Sequence, residues 1–168
     1  MSLVESTRAK QLVAVTLVVM MGFSFVSTSQ TPPSVNSWDG TWELNLAKST
    51  YEPGPPPYKR STCRMESSGD RLRVIYDSVG QRGVVTHLEW VGKLDGKDYP
   101  IQGIDDLLTN AYTRIDDRRL DVVVKADGVK VATARIVMAA DGKSLTSVTS
   151  SQNRDGRILK TTTVYDRK

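Results

Sequence analysis

Few side chains of the kinds that do chemistry occur in this chain, and their spacing argues against a reaction centre. His87 is its only histidine and Cys63 its only cysteine. His87 and Glu89 alternate along a predicted strand and share a face, but two ligands do not make a tight metal site, so we predict none. We expect His87 on the surface or in the wall of the fold. Cys63 alternates with Ser61 and Met65, which favours a buried, unreactive side chain over a nucleophilic thiol.

Two adjacent acidic pairs, Asp105-Asp106 and Asp116-Asp117, suggest carboxylates for general acid and base catalysis. Adjacent side chains point apart, however, and both pairs lie in predicted connections, where aspartate supports a turn by bonding its own backbone. The sequence contains no Gly-x-Ser-x-Gly elbow, phosphate-binding glycine loop or Cys-x-x-Cys pair. We therefore favour a non-enzymatic protein over an enzyme and predict no cofactor.

Charges of both signs are interspersed along the chain, with 23 lysines and arginines against 19 acidic residues and a net charge of +4. Nucleic-acid binding requires a basic stripe or patch, which this pattern does not form. We predict no nucleic-acid partner.

The N-terminus has the pattern of a secretory signal. Arg8 and Lys10 precede an uncharged apolar run over residues 12–26, and small polar residues end with Ser29. The run of 15 residues is shorter than the roughly 20 that span a bilayer. We predict a signal peptide over residues 1–29 and an exported protein, periplasmic or extracellular, without a stable membrane span after cleavage.

Three Asp-Gly pairs recur fourteen residues apart, at Asp127-Gly128, Asp141-Gly142 and Asp155-Gly156. Such pairs supply the positive φ angles of tight hairpins, and the segments between them alternate and are rich in β-branched residues. Together they predict an antiparallel meander. In all, about ten strands are expected, at residues 41–46, 59–66, 72–77, 84–91, 97–102, 109–115, 120–125, 129–138, 145–150 and 158–165.

A meander of eight to ten strands leaves two exposed edges unless it closes on itself. We therefore predict an all-β fold closed into a barrel, with the first and last strands meeting near Trp42 and Val164. Residues 41–168 form this single domain, and residues 30–40 precede it as a flexible arm. The proline-rich stretch at residues 51–58 is predicted to be a stiff covering loop, because proline cannot donate to a sheet.

Gly40-Thr41-Trp42 resembles the Gly-x-Trp signature that begins lipocalins and other calycin barrels. Over roughly residues 38–168 the chain is similar to bacterial exported lipocalin-like proteins, through the stretches GTWELNLAKSTYEPGP, LDGKDYPIQG, ADGVKVAT, AADGKSLT and VYDRK. The resemblance implies a calycin barrel with Trp42 at its floor. It also implies a cavity that takes a small apolar or amphipathic molecule.

Aromatic side chains and one arginine are the candidates for lining that interior. If Asp127-Gly128 forms a two-residue turn, then Val124 faces Val131, Val122 faces Thr133 and Leu120 faces Arg135, all on one side. An interior Arg135 could bind a ligand carboxylate, whereas an exterior one would be solvated. The predicted cavity-lining residues are Trp42, Tyr76, Trp90, Tyr112 and Arg135.

The expected function is therefore non-catalytic binding of a small apolar or amphipathic molecule inside the barrel. Two alternatives stay open. One is a structural or protein-interaction module whose barrel is filled by its own side chains, with an unknown partner. The other is a calycin-type enzyme acting on a lipid-like substrate, which would need titratable side chains converging in the cavity.

Overall fold

The computed structural model describes residues 38–104, 107–153 and 155–168, and the predicted signal peptide lies outside them. The described part contains eleven strands and one 3-10 helix, Leu46–Lys48. No helix in it is long and apolar enough to cross a membrane. The strands are β1 Gly40–Leu44, β2 Thr50–Glu52, β3 Tyr58–Ser68, β4 Arg71–Gly80, β5 Val85–Gly92, β6 Tyr99–Gln102, β7 Leu108–Asp116, β8 Arg119–Ala126, β9 Val129–Met138, β10 Ser144–Gln152 and β11 Ile158–Arg167.

The sheet closes on itself, as predicted. From β3 to β11 each strand pairs antiparallel with the next, and β1 pairs with both β3 and β11. Trp42 lies opposite Arg167 and Leu44 opposite Tyr165, so the first and last strands meet where they were expected to. Because every strand of the ring β1 and β3 to β11 has two neighbours, the fold is a closed all-β barrel, with β2 paired to β11 alone.

The first strand is interrupted. It was predicted to run to Leu46, but β1 ends at Leu44, and the Asn45 side chain accepts a hydrogen bond from the backbone N–H of Lys48 to cap the 3-10 helix. The chain then returns to the sheet as β2, whose Thr50 lies opposite Thr162 of β11. β1 pairs with the C-terminal part of β11 and β2 with an earlier part of it. Both segments therefore lie against the same strand.

The three Asp-Gly pairs mark three turns, as predicted, but only one is a two-residue hairpin. Asp127 and Gly128 have φ angles of 49° and 79°, and Ala126 pairs directly with Val129. At the other two pairs only the glycine has a positive φ, and the connections are longer. The longer loops therefore set the registers of the β9–β10 and β10–β11 hairpins.

A β-bulge beside the first turn makes the predicted register of β8 and β9 wrong. Lys125 pairs with Lys130 but Val124 pairs with Ala132, so Val131 is an extra residue. Such a bulge transfers every later side chain to the opposite face. The observed pairs are Val124 with Ala132, Val122 with Ala134, Asp121 with Arg135, and Leu120 with Ile136. Arg135 therefore lies on the outer face, opposite Asp121.

One end of the barrel is solidly packed, on the side of the β3–β4, β7–β8 and β9–β10 turns. Trp38 and Trp42 are both fully buried there, and the Trp42 indole N–H donates to the Trp38 carbonyl at 3.4 Å. Trp38 belongs to the stretch predicted to precede the barrel, and its side chain is packed into this end. Other fully buried side chains are Met65, Leu72 and Leu120, with Ile136, Met138 and Leu145 nearly so.

Candidate functional site

A chamber of about 170 Å³ lies inside the barrel, against the inner faces of β4 to β8. We call it the deep chamber. Three of the five residues predicted to line the interior do line it, namely Tyr76, Trp90 and Tyr112. The other lining residues are Val74, Leu88, Glu89, Ile101, Asn110 and Val124.

The aromatic wall of the deep chamber follows from strand alternation. Leu88 and Trp90 point inward from β5, and Asn110 and Tyr112 from β7. The Trp90 and Tyr112 ring centres are 4.3 Å apart with an interplanar angle of 40°. The Trp90 indole N–H donates to the backbone carbonyl of Asn110 at 3.0 Å, so the indole ring is fixed in orientation. The result is a rigid aromatic surface facing the space.

Asn110 is a polar residue of this wall that sequence reasoning missed. Its Oδ1 is buried and accepts no hydrogen bond from any described residue. Buried acceptors are nearly always paired in folded proteins. Its position two residues before Tyr112 places both on one face of a strand, and that spacing was the available signal.

A second space of about 300 Å³ lies beneath the proline-rich segment; we call it the mouth chamber. Pro53, Pro55 and Pro57 line one side of it, in agreement with the predicted covering role of this segment. The remaining wall combines tyrosine rings with hydroxyls. It consists of Tyr51, Glu52, Tyr58, Leu159, Thr161, Thr163 and Tyr165.

A tyrosine of the deep chamber contacts a tyrosine of the mouth chamber. Tyr76 lines the deep chamber, Tyr165 lines the mouth chamber, and their rings meet edge to face with centres 6.3 Å apart. A hydrogen bond with Ser61 holds Tyr165, and the hydroxyls of Ser61 and Ser78 are 2.7 Å apart. We call Tyr76 and Tyr165 the tyrosine partition.

The interior titratable groups are held in their neutral forms. Burial raises the pKa of the Cys63 thiol to about 12, so it stays protonated at neutral pH. Burial likewise raises the pKa of Tyr76, Tyr112 and Tyr165 above that of a free tyrosine. A protonated thiol is a poor nucleophile, and the prediction of a buried Cys63 is confirmed.

The interior position predicted for Arg135 is wrong. Its Nε and Nη2 each donate to the Asp121 carboxylate at 2.8 Å, and 61% of its side chain is exposed. The bulge at Val131 is the cause, because it turns Arg135 outward and Ala134 and Ile136 inward.

Trp42 is not among the residues that line either chamber. It is fully buried in the packed end, where its ring lies beneath the Arg167 guanidinium. A floor position for this residue, implied by the lipocalin resemblance, agrees with that packing.

The histidine lies on the outside, as expected. His87 is 57% exposed and its Nδ1 lies 2.6 Å from the Asp77 carboxylate, while Glu89 pairs with Arg73 at 2.8 Å. Within the described residues, no three potential metal ligands come together. Asp116 accepts a hydrogen bond from the backbone N–H of Arg118 in a turn, and Asp105-Asp106 lies outside the described residues.

An open groove of about 750 Å³ follows the outer faces of β8, β9 and β10. Val123, Val137 and Val148 supply its apolar surface, and the Asp121–Arg135 ion pair lies within it. We call it the outer groove.

Known protein-family profiles and curated proteins give no match to this chain. Several solved structures are similar in part. EF1p2_mFAP2b bound to DFHBI is 12% identical, with a TM-score of 0.48 over 81% of this chain and 98% of that one. The siderocalin Ex-FABP, described as functioning through dual ligand specificities, is 14% identical, with a TM-score of 0.45 over 79% and 71%.

A third similar structure is a redesigned β-barrel, mFAP1, bound to DFHBI. It is 16% identical, with a TM-score of 0.40 over 80% of this chain and 99% of that one. Values this low assign no function. Membership among exported lipocalin-like proteins therefore stays a prediction.

Proposed function

We propose that this chain is an exported, non-catalytic carrier that binds a small apolar or amphipathic molecule inside its barrel. The deep chamber is the observation that supports this, because a tightly packed barrel would leave no space beside Trp90 and Tyr112. An aromatic wall with a few polar groups is typical of small-molecule sites.

The neutral interior supports binding over catalysis. A calycin-type enzyme would need an acid, a base or a nucleophile in the cavity. The groups present near it are Cys63 and buried tyrosines, whose raised pKa values favour the uncharged forms. Glu89 also borders the chamber, but its carboxylate is engaged by Arg73.

The direct test is native mass spectrometry of the protein purified from its own source, before and after denaturation. A small molecule released on unfolding, and absent after refolding in clean buffer, would support the proposal. Titration of the refolded protein with toluene, phenol and decanol, followed by Trp fluorescence, then measures uptake. A protein that carries nothing and binds none of the three would contradict it.

A second candidate, a protein-interaction module, is favoured by the outer groove. Its apolar surface at Val123, Val137 and Val148 is open to solvent at one side of the barrel. Replacing Val148 with Arg should then abolish a complex seen on native gels of the exported fraction. Ligand uptake in the deep chamber should not change, because Val148 points outward, opposite Arg135.

A further inference from the structure

We infer that the molecule bound in the deep chamber has one aromatic ring and an uncharged hydrogen-bond donor, and that the tyrosine partition excludes longer ligands. This inference rests on the proposed function and names its ligand class. Three properties of the chamber carry it: its volume, the chemistry of its wall and the contact that ends it.

The volume limits the ligand to a single ring. The deep chamber measures about 170 Å³. A protein cavity of roughly 150 Å³ accommodates benzene, whereas sites for drug-sized ligands span roughly 300–1,000 Å³. An extended acyl chain or a fused polycyclic molecule would therefore extend beyond this space. A ring of six atoms with one small substituent fits within it.

The wall favours an aromatic ring over an aliphatic one of the same size. The ring centres of Trp90 and Tyr112 are 4.3 Å apart, and Tyr76 borders the same space. Aromatic rings gain from offset and edge-to-face contacts with such neighbours, beyond the area that they bury. Trp90 is held by its hydrogen bond to the backbone carbonyl of Asn110, so this surface does not have to reorganise on binding.

Asn110 specifies the polar group. Its buried Oδ1 lacks a donor among the described residues, and a ligand hydroxyl or N–H beside it would supply one. No lysine, arginine or histidine is among the residues that line the chamber. An anionic ligand would therefore be buried without a counter-ion, which is strongly unfavourable. A neutral phenol matches this wall, and a carboxylate does not.

The tyrosine partition sets the length. Beyond the contact of Tyr76 with Tyr165, the mouth chamber offers about 300 Å³ more, lined by Thr161, Thr163 and the proline-rich segment. Removing one of the two rings would join the spaces into one that an alkyl chain with a polar head can occupy. The contact between two side chains thus determines which ligands the barrel takes.

The test compares phenol, toluene and decanol on the full mature chain and three variants, by calorimetric titration. The natural protein should bind phenol and toluene with dissociation constants on the order of 0.1 mM and decanol at least tenfold more weakly. Asn110→Leu should retain toluene and reduce the phenol-to-toluene affinity ratio about tenfold. Tyr165→Ala should gain decanol binding at least tenfold, and Tyr165→Phe, which keeps the ring, should not.

Each result has one meaning. Decanol binding as tight as phenol binding in the natural protein would overturn the size limit while leaving the carrier proposal intact. An unchanged phenol-to-toluene ratio in Asn110→Leu would overturn the role of Asn110. Failure of all three ligands would contradict the carrier proposal itself. If Tyr165→Ala does not fold by circular dichroism, Tyr76→Leu removes the other ring of the partition and replaces it.

Discussion

The Arg167 guanidinium lies 4.0 Å above the centre of the Trp42 ring. Trp42 is in the first strand and Arg167 ends the last one, and the two residues are also paired across the β1–β11 contact that closes the barrel. Arg167 further donates to the backbone carbonyls of Asp39 and Gly142. A single side chain therefore joins the start of the barrel, its last strand and the β9–β10 turn.

Replacing Arg167 with Ala should lower the free energy of unfolding by about 3 kcal/mol. The variant loses a cation–π contact and two hydrogen bonds from a charged group, each worth about 1 kcal/mol or more. Urea denaturation measures the loss. Arg119→Ala is the control, because its pair with Asp116 is at the surface and should cost less than about 1 kcal/mol. Equal losses in the two variants would contradict a closing role for Arg167.

The protein should lose stability as the solution becomes alkaline. Cys63 has a pKa of about 12 in the fold and an ordinary value of 9.0, so the unfolded chain releases this proton first. The stabilisation is complete below pH 9 and is lost as the pH rises towards 12. Between pH 9 and 10 the free energy of unfolding falls by about 1 kcal/mol because of Cys63.

Cys63→Ala isolates that contribution. The variant should be less stable at neutral pH because it leaves a small cavity, yet its stability should fall about 1 kcal/mol less between pH 9 and 10. Urea titrations at pH 7, 8, 9 and 10 give both curves. A part of the alkaline loss should remain in both proteins, because the pKa values of Tyr76, Tyr112 and Tyr165 are also raised. Parallel curves from pH 8 to 10 would show that burial of the thiol does not carry the effect.

The sequence predicted the barrel because its signals are local. Each Asp-Gly signal for a turn consists of two adjacent residues. Closure follows because a meander of this many strands would otherwise leave two exposed edges. It also predicted Tyr76, Trp90 and Tyr112 as lining residues, since aromatic side chains are typical of an apolar pocket, and all three line the deep chamber. Ten strands were placed in this way, and only the short β2 was missed.

The misplacement of Arg135 has a different origin. A bulge adds one residue to a pairing without changing the turn that precedes it, so Asp127-Gly128 gives no sign of Val131. The face that includes Thr133, Arg135 and Val137 looked apolar enough to be interior. The true inner face begins with two small residues, Ala132 and Ala134, which carry a weaker signal than the large Ile136 and Met138 that follow. The two residues of the tyrosine partition, Tyr76 and Tyr165, are 89 residues apart in the sequence. No local pattern predicts a contact over that distance.

Replacing Arg135 with Met should leave ligand uptake unchanged. Its guanidinium lies on the outer face, paired with Asp121, and does not line either chamber. The exposed pair should contribute less than about 1 kcal/mol to the free energy of unfolding. Phenol titration and urea denaturation of the same preparation check both statements. A fall in phenol affinity of more than threefold would place Arg135 back in the binding site.

Two neighbouring valines distinguish ligand binding in the deep chamber from binding in the outer groove. Val124 lines the deep chamber and Val123 the outer groove, one residue apart on β8. Val124→Phe should fill the space beside Tyr112 and abolish phenol binding. Because the added ring occupies an existing cavity, its effect on the free energy of unfolding should stay within about 1 kcal/mol.

Val123→Phe makes the same chemical change on the opposite face and should leave phenol affinity within twofold of the natural protein. Thermal unfolding of both variants confirms that each is folded before titration. Equal loss of binding in the two variants would mean that the ligand is held in the outer groove or depends on the whole strand. Loss in Val124→Phe alone locates the bound molecule beside Trp90 and Tyr112, where the chamber is too small for a lipid and large enough for a single ring.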